Sequence, residues 1–284
     1  MRLVTVATRE DGYLPYLRMS CERHGARLEV LGWHQAWQGW TWRMRLVRDF
    51  FASCAPDELV CFVDAYDVVL LRPLADVEAG FRRLVPAGDR IVVAHDYAQP
   101  PLGEVAGAIM FGKCRGVRVN AGTYVGRADA LVRMVDRMRA AAGSGWFRTT
   151  DDQVMMTRLC AGDPHAFHVD VRRELFLTVA NHWRNLDLEA AGIEVVVDGG
   201  RLRYGPTGTE PCLLHAPAST RLDSVLWRLG YPVPVVRGLG KPVWQRVLEA
   251  AVILLAATCV VILLTSRRRG ADWCACPRRL TRTR

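Results

Sequence analysis

Apolar residues in this 284-residue chain fall in short runs that alternate with longer segments carrying them at helical spacing. Residues 2–7 (RLVTVA) read as a strand. Residues 14–24 read as a helix, with Pro15 near the first turn and Gly25 at the end. Residues 28–31 form a short strand, 32–41 a loop rich in Trp and Gly, and 42–53 a helix with Leu46 and Phe50 on one face. Residues 59–63 are a fully apolar strand, 73–84 a helix and 91–94 a strand. The order βαβαβαβ predicts an α/β domain on a mixed, mainly parallel sheet flanked by helices. A strand near 119–125, helices over 128–142 and 152–160, and short strands near 194–197, 201–204 and 212–215 follow. Pro232, Pro234 and the Gly238–Gly240 pair make a linker.

Composition narrows the class. Half the residues are hydrophobic and 24% are charged, which excludes a disordered chain, a collagen-like polymer and a small disulfide scaffold. The net charge of +9 invites an anionic partner, but its position matters more. Residues 267–284 hold seven Arg and one Asp; the other 266 residues hold 31 basic and 28 acidic side chains. The globular part therefore lacks the basic footprint of nucleic-acid binding, and no nucleic-acid partner is expected. Nine Cys are scattered without a paired CxxC array, which argues against structural zinc. The apolar stretch at the N-terminus is too short for a signal peptide. The expectation is a domain with reduced cysteines that faces the cytosol.

The C-terminal end differs. Residues 250–266 (AAVILLAATCVVILLTS) carry no charge. At ~1.5 Å per residue they extend about 25 Å, the lower limit for crossing a bilayer core. Arg246 and Glu249 bound the run on one side and Arg267, Arg268 and Arg269 on the other. This predicts a catalytic domain over 1–231, a linker over 232–246, a transmembrane helix over 247–266 and a basic tail over 267–284. The expected localisation is a membrane, by a single pass. The positive-inside rule puts the tail in the cytosol, whereas a tail anchor would put the domain there, so no side is assigned. Cys274 and Cys276 are candidates for acylation.

The chemistry concentrates at LVCFVDAYDVVLL, residues 59–71. An apolar strand runs into Asp64, turns through Ala65 and Tyr66, reaches Asp67 and becomes apolar again. Ligands gather at the carboxyl ends of strands in such sheets. Two carboxylates between apolar flanks repel each other and are poorly solvated, and a hard divalent cation removes both problems. His215 ends a short apolar strand and is followed by small residues, so backbone there can approach a ligand. Asp151 and Asp152 open an apolar-periodic helix, as caps or as functional acids. Asn120, Gly122 and Gly126 interrupt a strand pattern, which marks close approach to a ligand or a bulge.

Taken together, the chain resembles the glycosyltransferase domain of the multifunctional procollagen lysyl hydroxylases and is similar to collagen galactosyltransferase-type enzymes. The resemblance covers residues 2–231. It is carried by TVAT at 5–8, DGYLPYLRMSCERHG at 11–25, the Trp/Gly loop at 32–42, FVDAYDVVL at 62–70, NAGTYVG at 120–126, DDQ at 151–153, VDVRRELF at 169–176 and HAPA at 215–218. It implies a GT-A-like fold, a UDP-glucose or UDP-galactose donor, and Mn²⁺ (or Mg²⁺). Asp64, Asp67 and His215 match the metal ligands. Val6 and Thr8 bound the uridine-contacting strand end, and Tyr66 falls where an aromatic lies against uracil. Arg43 takes a diphosphate-facing position where relatives carry Lys. Asn120 and Gly122 match the sugar-side strand, and Asp151 and Asp152 the acidic pair near the transferred sugar. The implied protein acceptor is hydroxylysine, or galactosyl-hydroxylysine, of a collagen-like chain. Residues 32–42 and 96–118 read as flexible rims of its site.

Two other readings compete. His168, Asp170 and His215, with Arg221 beyond, imitate an iron and 2-oxoglutarate dioxygenase site, although the transferase match makes Asp170 structural or acceptor-side. A membrane-anchored, non-catalytic glycan-binding module is the other.

Overall fold

The computed structural model describes residues 1–96, 102–142, 151–180, 188, 193–217 and 220–232. The chain opens with β1 (Arg2–Val6), α1 (Leu14–Arg23), β2 (Leu28–Leu31), α2 (Trp40–Ala52) and β3 (Leu59–Val63). Next come β4 (Val68–Leu70), α3 (Leu74–Leu84), β5 (Ile91–His95), α4 (Leu102–Phe111), β6 (Val119–Arg127), α5 (Ala128–Ala142) and α6 (Asp152–Gly162). The remainder forms β7 (Phe167–Asp170), β8 (Phe176–Thr178), β9 (Val195–Asp198), β10 (Arg201–Tyr204), β11 (Leu213–His215) and α7 (Asp223–Arg228).

Six strands make the central sheet in the order β2-β1-β3-β6-β5-β7. The β1–β2, β1–β3 and β5–β7 pairings are parallel, while β6 runs antiparallel to both β3 and β5. This is the mixed, mainly parallel sheet expected, with β6 entering between β3 and β5 from the opposite direction. Side chains alternate across each strand, so one strand supplies two cores. On one face Val4, Val60, Phe62 and Val93 pack with Trp42, Val47 and Phe51 of α2, Leu131 and Met134 of α5, and Met155 and Met156 of α6. On the other, Leu3, Cys61, Val63 and Val92 pack with Leu14 and Leu17 of α1 and Val77 and Phe81 of α3. Burial on both faces explains why β3 is apolar throughout.

A second sheet, β4-β11-β8, carries a third core with the β9–β10 hairpin and α7, through Val69, Leu177, Leu202, Leu214, Val225 and Leu226. In it β11 runs antiparallel to β4 and parallel to β8.

The segment 96–118, read as a flexible rim, contains α4, and β7, β8 and α7 add elements to those expected. Cys114 and Cys160 form a disulfide, so the reading of reduced cysteines fails for that pair; Cys21, Cys54, Cys61 and Cys212 are free. Among the described residues no helix is long and apolar enough to cross a membrane. The transmembrane segment expected at 247–266 and the basic tail lie outside the described residues.

Candidate active site

Two strand pairings bring the three expected metal ligands together. Val63 at the end of β3 pairs with Thr123, and the next amide, Asp64 N–H, donates to Gly122 O at 2.7 Å. His215 pairs with Val68, and Ala216 N–H donates to Asp67 O at 2.8 Å. The β3–β4 turn therefore holds both aspartates while β11 delivers the histidine. His215 Nε2 lies 3.4 Å from Asp67 Oδ1 and 3.7 Å from Asp64 Oδ2. Ligand atoms of the three side chains lie within 4.8 Å of one another.

This cluster suits a divalent cation on three observations. Asp67 Oδ1 and both ring nitrogens of His215 are buried without a hydrogen-bond partner, which is costly unless something else meets them. Oxygen and imidazole donors are the ligand set of a hard or borderline ion. Gly122 leaves the space: a Cβ there would overlap His215 Cε1 and sit 2.6 Å from Asp64 Oδ2. The electrostatics agree. Burial pushes the Asp64 carboxyl up to about 6, against the Arg43 guanidinium, with Asp67 adding to the upward push. Burial alone would lower His215, but the Asp67 and Asp64 carboxylates outweigh it and raise its pKa.

Arg43 is the hub beside this cluster. It is 8% exposed, on α2. One guanidinium nitrogen donates to Asp64 Oδ1 and another to Asp152 Oδ2 at 2.5 Å. The guanidinium carbon lies 5.2 Å from the Trp40 ring centre and 5.0 Å from that of Phe62. Asp64 thus turns one oxygen to Arg43 and the other to His215. The carboxylate pair at the start of α6 divides. Asp151 is the N-cap, accepting from Val154 N–H at 3.0 Å, whereas Asp152 is half-buried against Arg43. Burial raises the Asp152 pKa against the opposing pull of Arg43.

At the end of β1, Thr8 N–H donates to the Tyr66 hydroxyl at 3.1 Å, which ties that strand end to the turn between the two aspartates. Val6 is buried at that strand end. On the other side, Asn120 Oδ1 accepts from Gly122 N–H at 2.8 Å, while Asn120 Nδ2 donates to Gln153 Oε1 at 3.2 Å and Asp96 Oδ1 at 3.4 Å. Arg118 lies 3.5 Å from Asp96. Gln153, Asp96, Arg118 and Trp40 were not assigned from sequence. Gln153 stands inside the DDQ motif, Trp40 inside the Trp/Gly loop, and Asp96 and Arg118 within the 96–118 segment read as a rim.

The iron-site alternative does not assemble. Asp170 accepts backbone N–H groups of Glu174, Leu175 and Phe176 at 2.7–3.0 Å, holding the turn between β7 and β8. Among the described residues, Asp64, Asp67 and His215 are the group with metal-ligand spacing.

Comparison with known proteins adds the following. A family described as the PLOD GT domain matches residues 1–230. No curated protein matches the chain. A solved structure titled as a glycosyltransferase involved in the glycosylation of the major capsid of PBCV-1 is 11% identical, with 75% of this chain and 92% of that chain covered, at a TM-score of 0.45. Likeness at that level bears on neither donor nor acceptor.

Proposed function

The chain belongs to the PLOD glycosyltransferase-domain family and is a glycosyltransferase; from that premise we propose that it moves glucose or galactose from a UDP-sugar to an acceptor hydroxyl. Asp64, Asp67 and His215 would hold a divalent cation, Mn²⁺ or Mg²⁺. The observation that carries this reading is the buried His215 Nε2, which faces two carboxylates without a hydrogen-bond partner. Such an ion supplies Lewis-acid stabilisation of the departing diphosphate.

The chain's own residues do the rest. Tyr66 holds the Val6–Thr8 strand end at the nucleotide side through the Thr8 amide. Arg43 keeps a fixed positive charge next to the ligand cluster, where negative charge grows as the glycosidic bond breaks. It also holds Asp152 in register with Asp64. Asn120 and Gly122 line the sugar side, and the missing Gly122 side chain lets the ligand cluster close. Asp152 stabilises oxocarbenium character, orients the acceptor hydroxyl or takes its proton. Asp151 sets the start of the helix that presents it.

The acceptor we propose is hydroxylysine or galactosyl-hydroxylysine in a collagen-like chain, bounded by the Trp/Gly loop. Trp37 and Trp40 stand partly exposed there, edge to face at 5.6 Å. Residues 247–266 would anchor the domain to a membrane. A donor screen that follows UDP release with and without Mn²⁺ tests the donor and metal reading. Metal-stimulated release from UDP-glucose or UDP-galactose is expected. Donor binding without turnover toward any acceptor would favour a glycan-binding module instead.

A further inference from the structure

We propose that the Cys114–Cys160 disulfide is a positioning device for the acidic start of α6, and that opening it lowers turnover without weakening donor binding. For its kinetic arm this rests on the transferase reading above.

The bridge joins two segments that both lead to the site. Both cysteines are 1% exposed. Cys114 and Val117 exchange backbone hydrogen bonds of 2.7 and 3.0 Å across Arg115 and Gly116, whose φ angles are 49° and 82°. Positive φ at both central positions makes a tight turn of the hairpin type, and Arg is a costly residue for it. That turn feeds directly into β6, which carries Asn120 and Gly122. Cys160 lies in the last turn of α6, and Asp152 and Gln153 in its first. The 11-residue helix is ~16 Å long.

Besides core packing and the Arg137–Asp163 ion pair at its C-cap, the bridge is the covalent tie on α6 among the described residues. Its buried positions are Met155, Met156, Thr157 and Cys160, two of them flexible methionines. Its first turn is tied by polar contacts, Asp152 to Arg43 at 2.5 Å and Gln153 to Asn120 at 3.2 Å. Its last turn is tied covalently to the approach of the same strand that bears Asn120. The bridge therefore sets how far along the helix axis Asp152 stands from Arg43 and Asn120. Asp67, in the β3–β4 turn, and His215, on β11, lie outside the 114–160 loop and are held by the β4–β11 pairing, while Asp64 is bonded to Gly122 on β6, which is itself paired with both β3 and β5.

A dithiol opens the bridge with balanced chemistry. Two electrons and two protons pass to the sulfurs, the Sγ–Sγ bond breaks, and dithiothreitol closes to its cyclic disulfide. The test uses the full chain, oxidised and reduced, with two readouts. Amide hydrogen exchange over 152–156 is expected to speed up at least tenfold on reduction, while β1, β3 and β5 keep their protection. UDP-sugar turnover is expected to lose about tenfold in kcat with donor KM within twofold, and to recover on reoxidation. The paired variant Cys114→Ser/Cys160→Ser should match the reduced protein and ignore dithiothreitol. In an Asp152→Asn background, reduction should change kcat less than twofold, because the residue being positioned is already lost.

The proposal is overturned if α6 keeps its protection on reduction, if kcat is unchanged, or if exchange rises through the whole sheet while kcat and KM deteriorate together. Continued sensitivity of the paired variant to dithiothreitol also overturns it. If no form releases UDP, the donor reading has failed, and exchange alone decides: loosening confined to α6 sustains the positioning role, and unchanged protection removes it.

Discussion

Gly122 is where a single methyl group would reach the centre of the site. A Cβ at this position would overlap His215 and press on Asp64, and neither can retreat far, since His215 is 1% exposed and Asp64 is held by its backbone bond to Gly122. Gly122→Ala is expected to lower Mn²⁺ affinity at least tenfold, measured by calorimetry, with the far-ultraviolet spectrum of the fold retained. Arg43 makes the complementary case. A guanidinium spans two carboxylates with separate nitrogens, which a lysine ammonium on a thinner stem does less well. Arg43→Lys is expected to cut kcat about tenfold. The loss should shrink in an Asp152→Asn background, because the two residues act as one unit. Equal losses in both backgrounds would mean that Arg43 acts without Asp152.

At the scale of elements, the β7–β8 connection separates structure from chemistry. Asp170 is 1% exposed and caps three backbone amides of the turn. Asp170→Ala leaves them unmet, a cost of about 3 kcal/mol, and should lower Tm by roughly 10 °C. His168→Ala should leave transfer within twofold of the parent. Loss of transfer with normal Tm in that variant would instead place His168 in the transfer site.

The elements also show what could be read from the chain. The β3 strand and its two aspartates were legible because full burial of both faces makes a strand uniformly apolar, and charge at its end then stands out. His215 was legible by the same logic on β11. The antiparallel entry of β6 was not, because side-chain period carries no strand direction. The strands β7 and β8 are too short to show a period. The segment holding α4 is rich in Gly and Pro at its start and read as a loop. The Cys114–Cys160 pairing spans 46 positions without a spacing motif. The bridge from Arg43 to Asp152 exists only once α2 and α6 pack on one face of the sheet.

At the scale of the whole molecule, the family match ends at residue 230, inside the first of two units, Met1–Leu239. Tyr231 is buried in the third core, so the described fold is complete just past the match. A chain ending at Leu239 is therefore expected to keep donor turnover within threefold of the full chain. The full chain should float with liposomes in a density gradient and the shortened one should not. Flotation of both would remove residues 240–284 from the account of membrane attachment.

The central claim is that Asp64, Asp67 and His215 hold the cation on which glycosyl transfer depends. UDP release from UDP-glucose and UDP-galactose, with and without Mn²⁺, for the parent and for Asp64→Ala, tests it most directly. Mn²⁺ should stimulate the parent at least tenfold, and Asp64→Ala should remove that stimulation while the protein stays folded. Mn²⁺-dependent release that persists at the parental rate in Asp64→Ala would contradict it.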